Sequence, residues 1–153
     1  NFDCSKNELT SLEGCPSSVS GEFECNRNKL KNLKGCPQAV NTLNCSGNGM
    51  VTLTGCPAKI DGSFDCSGNN LKNLKGMPEK IGYIFDCSDN KLTTLEGGPK
   101  EVGSSFYCND NKLMYLKGAP EKVGSDFYCM NNMVEFSKED VQRVSKVTGG
   151  IRF

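Results

Sequence analysis

The fold is decided by the stretch from Phe64 to Ile81, FDCSGNNLKNLKGMPEKI, because the chain repeats its pattern throughout. The shared pattern is F-x-C-S-x-N-x-L-x-x-L-x-G-x-P-x-x-V, and successive copies are offset by 21 residues, once by 20. A fixed period of this length is typical of a solenoid, in which each repeat stacks on the next. The seven repeats begin at Phe2, Phe23, Leu43, Phe64, Phe85, Phe106 and Phe127.

Each repeat predicts one short strand followed by turns. In the fourth repeat, Phe64 and Cys66 alternate with polar neighbours, which is typical of a half-buried strand. We expect Leu71, Leu74 and Ile81 to point inward as well, while a glycine and a proline between them prevent a long helix. A single repeat cannot bury this apolar stripe, so neighbouring repeats must cover one another.

Every repeat also carries an asparagine shortly after the predicted strand. A side-chain amide both donates and accepts hydrogen bonds, so it can satisfy backbone groups where the chain turns. Because the asparagines recur in register, we predict a hydrogen-bonded column rather than separate surface turn residues. Its members are Asn7, Asn28, Asn48, Asn69, Asn90, Asn111 and Asn132.

The motif F-x-C-x-x-N-x-L resembles the leucine-rich-repeat core L-x-L-x-x-N-x-L, with Phe and Cys in the first two Leu places. The flanking L-x-x-L-x-G-x-P-x-x-V resembles the short repeats of bacterial effectors. The Phe/Cys form is most similar to repeat proteins of large tailed bacteriophages and some giant viruses. Over residues 2–136 the resemblance implies an α/β leucine-rich-repeat solenoid with seven short parallel strands on its concave side and irregular turns on its convex side. Seven such strands span about 30 Å.

The last repeat loses the pattern and predicts a short amphipathic helix. Ser137 is a good N-cap, and Val141, Val144 and Val147 are spaced three apart. We expect the glycine pair at Gly149 to end this helix, which would cover the final repeat. The alternative is a partner-binding helix. The predicted domains are the solenoid, residues 1–136, and a C-terminal helical cap, residues 137–153.

The first repeat has no cover of this kind. We expect Phe2, Leu9 and Leu12 to lie open at this end of the stack. The N-terminal end is therefore expected to continue into further sequence or to contact it.

Ten cysteines raise the question of disulfides and metal binding. Equivalent Cβ atoms on adjacent parallel strands lie about 4.8 Å apart, whereas a disulfide prefers about 3.8 Å. Zinc usually requires closely spaced cysteine pairs, and the chain has neither these nor any histidine. We therefore predict buried free thiols, no metal and no cofactor. The strand cysteines are Cys4, Cys25, Cys45, Cys66, Cys87, Cys108 and Cys129, and a second set, Cys15, Cys36 and Cys56, precedes prolines.

The free thiols indicate which chemistry the protein can perform and in which compartment it acts. Without a histidine base, a buried thiol is not a credible nucleophile, so we predict no catalytic residue and no enzyme activity. Free thiols survive best in a reducing compartment. We expect the cytoplasm of a bacterial host, with the virion as the alternative.

The outward strand positions remain for function. The residues between Phe and Cys of each repeat form one such row, which is acidic over the first five repeats, except at Asn44, and aromatic over the last two. Stacked carboxylates repel and raise one another's pKa, and the fold does not need them. We predict a partner-recognition strip, with an ordinary solvated face, or a cation between Asp65 and Asp86, as the alternatives. The candidate residues are Asp3, Glu24, Asn44, Asp65, Asp86, Tyr107 and Tyr128, with Ile84 and Asp126 from the adjacent row.

Composition narrows the class of function. Basic and acidic residues number 18 each, which disfavours a dedicated nucleic-acid binder, and no apolar run reaches the roughly 18 residues of a spanning helix. We expect a non-enzymatic module that binds a partner protein with a basic patch, as a phage host-takeover or effector-type factor. The alternatives are a structural or accessory component of a larger assembly such as a virion, and the targeting arm of an enzyme.

Overall fold

The computed structural model describes residues 1–153, which wind into a solenoid with two parallel β-sheets. In chain order the elements are β1 (Phe2–Asp3), β2 (Glu22–Glu24), β3 (Ala39–Val40), β4 (Thr42–Asn44), β5 (Lys59–Ile60), β6 (Phe64–Asp65), β7 (Lys80–Ile81), β8 (Phe85–Asp86), β9 (Glu101–Val102), β10 (Phe106–Tyr107), β11 (Lys122–Val123), β12 (Phe127–Tyr128), α1 (Lys138–Val144), β13 (Lys146–Val147) and β14 (Ile151–Arg152). Sheet A has the order β1-β2-β4-β6-β8-β10-β12-β14, and sheet B has the order β3-β5-β7-β9-β11-β13.

Sheet A confirms the strand predicted for each repeat. Neighbouring strands are parallel and pair in register one repeat apart, so Phe64 faces Phe85 and Asp65 faces Asp86. The phenylalanines point into the core and the residues that follow them point outward. Equivalent side chains therefore form straight rows across the sheet.

Sheet B corrects the prediction of irregular turns after the proline. In the fourth repeat the strand is Lys80–Ile81, with the isoleucine fully buried and the lysine exposed. The residues after the proline pair with the equivalent residues of the next repeat, because each repeat leaves its turn beside the one before it. For example, the N–H of Gly103 donates to the carbonyl of Ile81 at 3.0 Å. A Cβ on Gly103 would lie 2.0 Å from the carbonyl oxygen of Gly82, so glycine permits this close approach.

The core is one continuous cluster of 33 buried residues along the stack, built from the predicted inward positions. Phe85 lies between Phe64 and Phe106, with ring centroids 5.8 and 5.4 Å away. In the first repeat, Phe2 and Leu9 are only partly buried, as expected. Leu12, which was predicted to lie open, is fully buried.

The asparagine column is confirmed for six of its seven predicted members, all except Asn7, and it joins side chains to the backbone of neighbouring repeats. Oδ1 of Asn69 accepts hydrogen bonds from the N–H groups of residues 48–50 at 2.9 to 3.1 Å. Its Nδ2 donates to the carbonyl oxygens of Cys45, in the preceding repeat, and Cys66, in its own. Each amide therefore ties two repeats together. The same bridge is made by Asn28, Asn48, Asn90, Asn111 and Asn132.

Helix α1 begins where the sequence predicts. Ser137 Oγ accepts a hydrogen bond from the N–H of Asp140, and the Asp140 carboxylate accepts one from the N–H of Ser137 at 2.9 Å. This reciprocal pair is a capping box. Val141 is the one fully buried residue of the helix. No helix of the structure is long and apolar enough to span a bilayer.

The helix is shorter than predicted, and the chain then returns to the solenoid. It ends at Val144 instead of continuing to the glycine pair. Val147 pairs in register with Val123 in sheet B, and Ile151 pairs with Phe127 in sheet A. The residues after the helix therefore add one more strand to each sheet, because their backbone groups bond to the preceding repeat.

Candidate recognition surface on sheet A

The predicted recognition residues form one line across sheet A, which we call the sheet A row. Adjacent members sit on paired strands, about 4.8 Å apart. Strand β14 adds Arg152, a cation that sequence reasoning missed. Asp3 and Arg152 are exposed, and the members between them are partly exposed. The row runs Asp3, Glu24, Asn44, Asp65, Asp86, Tyr107, Tyr128 and Arg152.

The carboxylates of Asp65 and Asp86 also close the turn after their strands. Oδ1 of Asp65 accepts hydrogen bonds from N and Oγ of Ser67 at 2.9 and 2.6 Å, and Asp86 makes the same two bonds with the serine two residues on. Asn44 makes the equivalent bonds with its own serine at 3.1 and 2.7 Å. A neutral amide can therefore close this turn in place of a carboxylate.

The pKa values of the acids in the row shift in two directions. Burial raises the pKa of Glu24 and of Asp86, and nearby carboxylates add to both shifts. Hydrogen bonds from Ser5 lower the pKa of Asp3. The expectation that stacked carboxylates raise one another's pKa therefore holds for Glu24 and Asp86, with burial as the larger cause, and is wrong for Asp3.

The far end of the row is aromatic and then basic. The rings of Tyr107 and Tyr128 stack with centroids 4.3 Å apart and planes inclined by 10°. Arg152 follows Tyr128 in register. Stacked tyrosines offer a broad, stiff contact area of the kind found at interface hot spots, and the guanidinium offers several donors for an acidic group.

The two flanking candidates differ in how free they are to bind. Oδ1 of Asp126 accepts a hydrogen bond from the N–H of Gly150 at 2.5 Å, and Oδ2 lies 3.4 Å from the hydroxyl of Tyr128. Asp126 therefore holds the last strand of sheet A in place. Ile84 is partly exposed and adds a small apolar area beside Asp86.

The cysteines are ten free thiols, as predicted. Eight are buried, and only Cys4 and Cys15 are partly exposed. Burial raises the pKa of Cys36 and of Cys56 to about 12. The Cys66 thiol donates to the carbonyl of Asp86 at 3.4 Å. The structure gathers no group of three or more histidine, cysteine or carboxylate side chains that could hold a metal ion.

Thiol labelling checks this arrangement. In the folded protein, we expect Cys4 and Cys15 to react with a soluble thiol reagent more than about tenfold faster than the eight buried thiols, since reactivity requires access and a thiolate. In denaturant without reductant, all ten thiols should react. Peptide mapping of the labelled protein measures the labelling rate at each cysteine and the number of thiols that react after unfolding. Fast labelling of Cys66 in the folded state, or fewer than ten thiols after unfolding, would contradict the structure.

Replacing Asp86 with asparagine tests whether the fold needs the charge. Because burial raises the pKa of Asp86, this group stabilises the fold below its unfolded pKa, and that contribution is lost as pH rises through the folded value. Asp86→Asn should therefore unfold at the same or a slightly higher urea concentration than wild type at neutral pH. The difference should shrink as the pH approaches about 4.

Asp3→Asn is the matched control for this comparison. The pKa of Asp3 is lowered, so its carboxylate stabilises the fold above the unfolded pKa, and that stability is lost as pH falls through the folded value. The control should therefore lose stability at neutral pH. If Asp86→Asn were the more destabilised of the two at neutral pH, the carboxylate would be a structural requirement.

Sheet B carries a second charged row that the sequence reasoning did not identify. We call it the sheet B row. Its lysines are well exposed, with Lys59, Lys80 and Lys122 at 66 to 68% side-chain exposure. Glu101 lies between Lys80 and Lys122 and pairs with both, at 3.5 and 2.7 Å. The row runs Ala39, Lys59, Lys80, Glu101, Lys122 and Lys146.

Comparison with family models, with curated proteins and with solved structures finds no match for this chain. The repeat period, the two sheets and the two charged rows are therefore the observations on which a function can be argued.

Proposed function

We propose that this chain is a non-enzymatic protein-binding module that holds a partner through the sheet A row. The observation that carries the proposal is the presence of carboxylates at Asp65 and Asp86. Asn44 closes the same turn with an amide, so the fold does not require a charge at these positions. Burial even raises the pKa of Asp86, which means that its charge is held at a cost in stability.

The row suits a partner protein with a basic patch. Four carboxylates, on strands about 4.8 Å apart and with Asn44 between the second and the third, attract lysine and arginine side chains and favour fast association. They are Asp3, Glu24, Asp65 and Asp86. The stacked Tyr107 and Tyr128 then supply the apolar contact area that holds a bound partner.

The finer identity of the module is part of the same proposal. The repeat motif resembles leucine-rich repeats, in which the sheet that corresponds to sheet A lines the concave side. Its Phe/Cys form supports a phage host-takeover or effector-type factor that acts in the reducing cytoplasm of a bacterial host. The ten free thiols fit such a compartment.

Charge reversal at the row tests the proposal. Wild-type protein and the Asp65→Lys/Asp86→Lys variant would be used as baits in a bacterial lysate, with retained proteins identified by mass spectrometry. The variant should retain at least about tenfold less of the partner that wild type binds, since two attractive charges on the row become repulsive. Cross-links from that partner should map to the sheet A row.

The matched control is Asp89→Lys/Asp110→Lys, which changes the net charge equally. Both residues are exposed and lie off the row, at a repeat position where Lys6 and Arg27 already occur with the same left-handed backbone. The control should retain the partner. Equal capture by all three baits, or equal loss with both variants, would refute binding through the row.

A further inference from the structure

The two charged rows of the molecule have matching spacing. Both run across parallel sheets of one solenoid, with one residue from each repeat, so neighbouring members of either row lie about 4.8 Å apart. A sheet B row laid along a sheet A row therefore keeps its register over several strands. Any β-sheet has this strand spacing, so the order of the charges along the rows decides which partner fits.

The charges in the two rows also match, position by position. The acidic part of the sheet A row is a run of five with its neutral residue, Asn44, in the middle, and the sheet B row is a run of four lysines with its one acid, Glu101, in the middle. Because both patterns are symmetric about that middle position, they match in parallel and in antiparallel orientation. The two runs are Asp3, Glu24, Asn44, Asp65, Asp86 and Lys59, Lys80, Glu101, Lys122, Lys146.

We propose that the sheet B row of one copy binds the sheet A row of a second copy of this chain. Each lysine then faces a carboxylate, and Glu101 faces the amide of Asn44 rather than another acid. The inference rests on the proposed function, because it names an occupant of the same sheet A row.

The contact joins two different surfaces, so it is heterologous. A pair keeps one free sheet A row, on one copy, and one free sheet B row, on the other, so further copies can add until a ring closes or a filament grows. Three of the four lysines, Lys59, Lys80 and Lys122, are already engaged in exposed pairs with Asp61 or Glu101. Such pairs are weak and exchange readily, so they do not block the contact.

Sedimentation velocity of the purified chain tests the proposal. In about 0.01 M salt, where charges act over about 30 Å, the average mass should rise with protein concentration; in about 1 M salt, where they act over about 3 Å, the protein should return to monomers. A chain that stays monomeric in low salt at the highest attainable concentration would overturn the proposal.

Two charge-reversed variants make the test specific. Asp65→Lys/Asp86→Lys and Lys80→Glu/Lys122→Glu should each lose self-association by at least about tenfold, because like charges then meet across the contact. An equimolar mixture of the two should associate again, since the intact sheet B row of the first variant meets the intact sheet A row of the second. Failure of the mixture to associate would exclude this pairing of surfaces.

A further pair of variants separates this inference from the proposed function. Lys72→Glu/Lys112→Glu changes the net charge equally at exposed turn lysines and should still self-associate. Lys80→Glu/Lys122→Glu should lose self-association yet still capture a foreign partner through its intact sheet A row. Self-association that survives Lys80→Glu/Lys122→Glu would refute the inference and leave the proposed function standing.

Discussion

Replacing Asn69 with alanine should lower the free energy of unfolding by about 4 kcal/mol. The Asn69 amide is 7% exposed and makes six hydrogen bonds at 2.9 to 3.2 Å, three accepted and three donated. Alanine would leave the N–H groups of residues 48–50 without a partner inside the stack, and each unsatisfied buried group costs about 1–3 kcal/mol.

The loss of stability should be concentrated at one junction of the solenoid, that is, at the contact between two adjacent repeats. Each repeat contacts only its neighbours, so Asn69→Ala weakens the coupling between the third and fourth repeats. We therefore expect the urea transition, followed by circular dichroism, to begin earlier and to broaden.

The control for this prediction lies in the first repeat. Asn7 is exposed, and its amide donates only to the carbonyl oxygens of Cys4 and Ser5, without bridging to another repeat. Asn7→Ala should cost no more than about 1 kcal/mol. Similar losses for the two variants would mean that bridging between repeats contributes little to stability.

Replacing Phe85 with alanine should destabilise the protein by about 3–5 kcal/mol. Phe85 is fully buried and stacks on Phe64 and Phe106, so alanine leaves a cavity in the middle of the aromatic ladder. Because both neighbours belong to other repeats, the cavity weakens two junctions at once. Urea unfolding measures the loss.

Phe85→Leu is the matched variant, because Leu43 occupies the same repeat position and is fully buried. We expect leucine to cost about 1 kcal/mol. A second control, Phe2→Ala, removes a partly buried ring that stacks on one neighbour only, at 5.3 Å. If Phe85→Ala cost no more than Phe2→Ala, the ladder would not be the source of the stability that we assign to it.

Sequence reasoning found the sheet A row but not its end. The seven predicted members follow from the repeat, whereas Arg152 follows the helical insertion, which breaks the 21-residue period. A signal was present: Val147 and Ile151 have the same separation as Val123 and Phe127. The helix masked this signal because the strands beyond it do not continue the full motif.

The sheet B row was missed for a different reason. Each of its six strands is two residues long, as in Lys80–Ile81, and two residues are too few to show an alternating pattern. The inward isoleucine was recognised as core, but nothing local indicates that the lysine before it stands in a row. That row exists only because the backbones of neighbouring repeats pair.

The amino-acid sequence by itself determined the solenoid, its inward residues, the asparagine column and the acidic-to-aromatic order of the sheet A row. It could do so because in-register stacking makes each residue's main neighbour the equivalent residue one period away, so that the period already specifies the contacts. Only the tertiary structure decided that a second sheet forms, that the chain rejoins both sheets after α1, and that Asp86 is buried enough to raise its pKa. These properties depend on hydrogen bonds between backbones and on the depth of side chains, and neither is expressed in the spacing of residue types along the chain.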